Sequence, residues 1–265
     1  MEINRKVFVF HGCDYKVGTT MTAQATAELI ANCRKDLRIL FLCLNSREST
    51  EYCGESVENI EAIKMKADNR LLTHEDVMKI CSKEGSLYVL GGVNGLLKHR
   101  HYSPDFPSAI IDIASQIFDL IIVDSGNEID SGLAVGALKA TPNRILVMAQ
   151  NESILKRYEI VKEFYDILEI DFDQYVVNKY LPEDPHDEKY IRKRLGIPEN
   201  KRVIFVSDQN MYARIAEMEH STLLQYKSQE YINGISEIAL SLFRISGIEG
   251  GVEIKMKKRI PFGKW

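Results

Sequence analysis

The sequence predicts an α/β fold: a single doubly wound domain with a mostly parallel sheet and helices on both faces. Two observations predict it. Short apolar runs alternate with helical-period segments from end to end, and each parallel step needs a crossover helix. Several runs, RILFLCL at 38–44 above all, are apolar without alternation, as suits a strand covered on both faces. The 265 residues allow one or two domains. No repeat, Gly/Ser linker or composition shift marks a boundary, so residues 1–250 read as one domain and 251–265 as a basic tail.

Val7 to Phe10 is a β-branched and aromatic run, expected as the first strand. The polar turn GCDYKVGTT follows, then MTAQATAELIANCR with Met21, Ala25, Leu29 and Ile30 at helical spacing. Arg38 to Leu44 is the second strand. SVENIEAIKMKA and THEDVMKICSK are the expected helices of the polar stretch 45–83. In the second, Thr73 and Asp76 have the spacing of a capping box. Further strands are expected at Leu87 to Leu90, Leu120 to Val123, Arg144 to Ala149, Tyr175 to Val177 and Val203 to Val206. Further helices are expected at Pro107 to Phe118, Ser131 to Lys139, Ser153 to Leu168, Asn210 to Met218 and Ser236 to Phe243. The run EDPHDEKYIRKRLGIP reads as a solvated helix of opposite charges.

Composition excludes several classes. Acids outnumber bases 38 to 34, a net charge of −4, so no specific nucleic-acid partner is expected. The five cysteines, Cys13, Cys33, Cys43, Cys53 and Cys81, form no CxxC pair, which argues against a zinc ribbon or thioredoxin motif. Their odd, scattered set fits a reduced cytoplasm. MEINRKVFVFHG lacks the apolar core of a signal peptide, and no apolar run reaches the ~18 residues of a membrane span. A dehydrogenase is disfavoured, because no GxGxxG follows the first strand and no acidic residue closes the second.

The loop after the first strand is the candidate binding element. It lies at the carboxyl end of a strand and opens onto a helix N-terminus, where unpaired N–H groups and the helix dipole favour an anion. It holds Gly12, Lys16, Val17, Gly18, Thr19 and Thr20. The spacing does not match GxxxxGK[ST]: Gly12 and Gly18 are one residue too far apart, and Thr19 stands where lysine belongs.

The order of elements resembles the MinD/ParA group of P-loop ATPases over most of residues 5–245. Asp14-Tyr15-Lys16-Val17-Gly18-Thr19-Thr20 falls on that family's KGGVGKTT. VGTT is most similar to the GGVGTTT of the CpaE/TadZ pilus-localisation branch. LIIVDSG at 120–126 resembles the Walker B and switch II strand, which implies that Asp124, the one catalytic candidate, sits near magnesium with Thr20. VVNKY at 176–180 is similar to the strand end whose asparagine reads the adenine edge, here Asn178. Asp208 falls near the aspartate of an IPxD-like loop. The resemblance implies ATP or ADP, with Mg²⁺, as cofactor and a homodimer as the assembly. It also implies a pilus or secretion assembly protein as partner, and a cytoplasmic protein peripheral to the membrane or cell pole.

Departures from the pattern imply a degenerate ATPase. Asp14 replaces the lysine that crosses the family's dimer interface, and Thr19 replaces the loop's own lysine. ILFLCLN at 39–45 puts Cys43 and Asn45 where the family has aspartates, the first of which positions the attacking water. Phosphoryl transfer depends on such charge and positioning. The expected function is a nucleotide-binding localisation or scaffold protein with weak or absent hydrolysis. The alternative is an active ATPase in which Lys16 replaces the missing lysine.

Other features read as bland. His99, Arg100 and His101 lack the carboxylates or cysteines of a metal site. His11 and Cys13 flank the loop as a nucleophile pair without a third orienting group. Lys255 to Trp265 holds five bases with Phe262 and Trp265, a composition suited to an anionic surface, but Pro261 and Gly263 oppose an amphipathic helix.

Overall fold

The computed structural model describes residues 5–47, 52, 53, 57–95 and 97–251. The basic tail, 252–265, lies outside the described residues. In chain order the elements are β1 (Val7–Gly12), α1 (Thr19–Cys33), β2 (Ile39–Cys43), α2 (Glu61–Asp68), α3 (His74–Ile80), β3 (Ser82–Glu84) and β4 (Leu87–Leu90). There follow α4 (Asp105–Ala114), β5 (Leu120–Asp124), α5 (Gly132–Ala140), β6 (Arg144–Ala149) and α6 (Glu152–Ile167). The chain goes on through β7 (Gln174–Tyr180), α7 (Glu188–Leu195), β8 (Arg202–Ser207), α8 (Asn210–Met218) and α9 (Gln229–Ser246).

All eight strands belong to one sheet, in the order β3-β4-β2-β5-β1-β6-β7-β8. Every pairing is parallel except β3 with β4. β1, β2 and β5 are buried along their whole length, as their unbroken apolar sequences predict. Helices flank the sheet: α1 packs on β1, β2, β5 and α9, while α5 packs on β1 and α4. The chain winds outward from β1 through β2 to β4, returns at β5, and then leaves on the other side through β6. β1 therefore sits at the switch of winding direction, where open α/β sheets form a crevice beyond the strand ends. In the register, Phe10 and Cys43 both lie level with Asp124, at the carboxyl ends of β1, β2 and β5.

The capping box is present: Thr73 Oγ1 accepts from the Asp76 N–H, and the Asp76 carboxylate accepts from the Thr73 N–H. Several boundaries differ from expectation, and four of the differences have a local setting that the structure shows. The helix beginning there stops at Ile80, because Ser82–Glu84 pairs antiparallel with β4. α2 starts at Glu61 rather than Ser56; Asn59 bridges to Gly91, and its side chain accepts from the Glu61 N–H. α4 starts at Asp105, two residues before Pro107. Proline there forfeits nothing, since the first N–H groups of a helix have no intrahelical acceptor. α9 starts at Gln229, seven residues early, capped by Ser228. Its Gly234 lies so close to the Phe205 carbonyl that a side chain there would collide.

Candidate functional site: the loop after β1 and the ends of five strands

Residues 13–18 carry the chain from β1 to α1. Lys16 (φ 58°) and Gly18 (φ 90°) are both left-handed, with the fully buried Val17 between them as the loop's anchor. Such alternation turns successive amides toward one concavity. Gly18 caps α1 without any side-chain acceptor, and the first turn holds no acidic residue. The first intrahelical bond runs from the Thr22 N–H to the Gly18 carbonyl (2.9 Å). The amides of Thr19, Thr20 and Met21 therefore have no intrahelical acceptor, and the helix dipole adds positive potential there.

The loop is tied to its neighbours by close backbone approaches. The Gly12 N–H donates to the Gly126 carbonyl (2.7 Å), and the Cys13 N–H to the Val147 carbonyl (2.9 Å). A Cβ on Gly12 would occupy the space of the Thr19 hydroxyl. Thr19 is thus buried over Gly12.

Asp124 organises the centre. Its side chain is buried and accepts several hydrogen bonds. Thr20 Oγ1 (2.6 Å) and Asn45 Nδ2 (2.9 Å) donate to Oδ2, and the Gly126 N–H (3.0 Å) donates to Oδ1. Asn45 is therefore a working part of the site, although the sequence marked it only as a lost carboxylate. Its Oδ1 accepts from the Arg47 N–H (2.8 Å). Arg47 then reaches over the loop: its guanidinium lies 4.4 Å from the Tyr15 ring centre and donates to the Tyr15 hydroxyl (2.8 Å).

On the other side, Asn178 Nδ2 donates to the Val17 carbonyl (2.9 Å), with its amide packed against Gly18. In this arrangement Asn178 braces the loop from beneath. Its neighbour Lys179, also left-handed (φ 55°), donates from Nζ to the Lys16 carbonyl (2.8 Å). β7 and β8 lose register between Val177 and Tyr180. Asp208 follows β8, and its N–H donates to the Tyr180 carbonyl (3.0 Å). Lys16 is exposed, with Nζ 5.6 Å from the Tyr15 ring centre. The structure thus brings Lys16, Val17, Gly18, Thr19, Thr20 and Asn178 together around one loop, with Asp124 beneath Thr20. Asp14 turns back on itself, its Oδ1 accepting from the Tyr15 N–H (2.7 Å).

The His11–Cys13 pair is not a nucleophile. Burial pushes the Cys13 thiol far up, assisted by the charge of Asp14. His11 is engaged by Ser125 and by aromatic rings, stacked on Phe172 and edge-on to Tyr165. Ser125 Oγ donates to the Phe10 carbonyl (3.0 Å), so the 3.0 Å contact with His11 Nδ1 requires the ring to donate. His11 Nε2 is then a buried acceptor with no partner among the described residues. Burial lowers the His11 pKa from 6.5 to about 3. An unfolded histidine takes up its proton near pH 6.5, and the folded one only near 3. The stabilisation from a neutral His11 is present above pH 6.5 and drains away as pH falls toward 3, by up to ~1.4 kcal/mol per unit. Urea denaturation at pH 7 and pH 5 is expected to show that loss, and His11→Leu to flatten it.

His99, Arg100 and His101 fall in a short 3₁₀ turn, Lys98–His101, with His99 Nε2 3.8 Å from Glu128. Among the described residues, no group of three His, Cys, Asp or Glu side chains is placed to hold a metal. No helix among them is long and apolar enough to cross a membrane.

A parallel sheet switching direction at β1, a glycine-turned loop opening onto α1, and a carboxylate ending β5 beside that helix define a fold of the MinD/ParA ATPase type. Solved structures bear this out. The chain is similar to a ParA family ATPase from Chlorobium tepidum (TM-score 0.77, 18% identity, 89% of this chain and 99% of that one). It is similar to the septum site-determining protein MinD from Pyrococcus horikoshii, complexed with Mg-ADP (TM-score 0.70, 16% identity, 92% and 98%). It is also similar to the MinC:MinD cell division complex of Aquifex aeolicus (TM-score 0.67, 15% identity, 95% and 98%). No protein-family model matches the chain, and no curated protein sequence does.

Proposed function

We propose that this chain is a MinD/ParA-like nucleotide-binding localisation or scaffold protein with slow or absent hydrolysis. The observation that carries the reading is the loop: left-handed Gly18 presents the open amides of α1 while Thr20 stands on Asp124. That arrangement receives an anionic phosphate chain. Asn178 and Asp208, at the exits of β7 and β8, are the residues we assign to the base side. Thr20 and Asp124 fit magnesium as an oxygen-only donor pair. Because both oxygens of Asp124 are engaged, Thr20 would ligate directly and Asp124 through water. When bound, the ion would neutralise phosphate charge.

Slow hydrolysis follows from what surrounds that loop. Thr19 brings no cation, and the buried thiol of Cys43 stands level with Asp124 where the family pattern has a carboxylate. Neither can stabilise charge or orient a water as those groups do. We further propose a homodimer whose association responds to nucleotide, acting on a partner protein peripherally to a membrane or cell pole. A MinD does stand in complex with MinC in the Aquifex structure. The narrower role, placing a pilus or secretion assembly, rests on the VGTT segment.

One observation favours an active ATPase instead: Lys16 is exposed and left-handed at the loop's rim, free to turn toward a phosphate. Steady-state phosphate release from wild type and Lys16→Ala separates the two readings. We expect saturable ATP binding with release no faster than a protein-free blank in both proteins. Clear turnover that disappears in Lys16→Ala establishes the active ATPase.

A further inference from the structure

Three cations converge on the loop, and only one belongs to it. Lys16 stands on its rim, Arg47 arrives from the end of β2, and Lys179 from the end of β7. Among the described residues, none of the three forms an ion pair with a carboxylate. Other cations of this surface do have carboxylate partners: Arg34 pairs with Asp36, Arg194 with Glu152 and Glu159, Lys201 with Asp171 and Asp173. Three cations without a carboxylate partner among the described residues thus stand by the open amides of α1, which already favour an anion, while the Asp14 carboxylate is turned back on the Tyr15 N–H.

Both outlying cations are held in place by the loop itself. Lys179 grips the Lys16 carbonyl while Asn178 grips the next one, that of Val17. The irregular β7–β8 register and the left-handed backbone at Lys179 turn its side chain toward the loop. An ammonium has three donors, so two remain beyond the bond to Lys16. Arg47 lies against Tyr15 with one N–H on the phenol oxygen. Its planar fork keeps other N–H groups for a phosphate.

We propose that Lys179 and Arg47 supply, from either side, the positive charge for a nucleoside triphosphate that the loop's own sequence lacks. The inference rests on the nucleotide reading above and adds the residues that contact phosphate. Lys179 engages the chain from the β7 side, and Arg47 from the β2 side. Thr19 can then be uncharged without leaving the phosphates unneutralised.

The test is calorimetric titration of the full-length chain with Mg-ATP and with AMP. Lys179→Ala and Arg47→Ala are each expected to weaken Mg-ATP by about tenfold, and AMP much less. Both should flatten the dependence of ATP affinity on salt. Lys179→Gln keeps an N–H for the Lys16 carbonyl and loses only the charge. It is expected to weaken ATP as Lys179→Ala does, while Lys179→Arg restores binding. Equal losses for AMP and ATP, or rescue by Lys179→Gln, reduce Lys179 to a loop brace and overturn its phosphate role. A wild type that saturates with ATP while both alanine variants bind within twofold of it overturns the inference alone. A wild type that binds neither ligand overturns the nucleotide reading and the inference together.

Discussion

Gly18→Ala is expected to deform the phosphate loop and reduce ATP binding more than tenfold, the level expected when more than ~1.4 kcal/mol of binding energy is lost. Two effects act together. At φ 90° an L-residue is strained, by roughly 1–2 kcal/mol. The added Cβ would also overlap the amide of Asn178, which braces the loop through the Val17 carbonyl. Either the loop or Asn178 must move, and both set the direction of the α1 amides. Gly247 provides the control. It is left-handed at the end of α9 (φ 72°) with open space around it. Gly247→Ala should lower stability by about 1 kcal/mol through strain alone and leave ATP binding intact. If calorimetry gives Gly18→Ala wild-type affinity, the loop does not receive phosphate.

Asp124→Ala should be the most damaging single substitution at the site. It deprives the Thr20 hydroxyl, the Asn45 amide and the Gly126 N–H of a buried acceptor at once. Hydrogen bonds to a charged group are each worth ~1.5–3 kcal/mol, and the effects of neighbours do not sum simply. A loss of about 3 kcal/mol in urea denaturation is the expected scale. ATP binding should also lose its dependence on magnesium, measured by titration with and without EDTA. Unchanged or increased stability would mean that the buried carboxylate costs more in desolvation than its donors return. Retained magnesium dependence would remove Asp124 from the cation's surroundings.

Much of this was legible in the sequence because it is local. Most of the seven parallel strands follow apolar runs, although β7 runs on past Val177 through Asn178 and Lys179, and the loop's place follows from the strand before it and the helix after it. The Thr73 and Asp76 capping box needs only a spacing of three. β3 was not legible, because Ser-Lys-Glu carries no strand signal and owes its pairing to β4. The site was legible where one segment holds the information, as in Val17 to Thr20, and illegible where it is assembled across the fold. Lys179 meets the Lys16 carbonyl across 163 positions, and Arg47 meets Tyr15 across 32. Asn45 reads from sequence alone as a missing carboxylate, whereas in the fold its amide donates to Asp124. The family resemblance implies an adenine-edge role for Asn178; only the folded position shows its amide beneath Gly18.

The antiparallel β3 has a further consequence, for how the molecule meets others of its kind. An open sheet exposes a bare row of amides and carbonyls at each margin, an invitation to runaway strand addition. At one margin this chain places only three residues, ending in exposed Lys83 and Glu84 and reversed against the rest of the sheet. So short a charged rim offers little template for fibre growth, and crowding at high concentration should not seed polymers from that side.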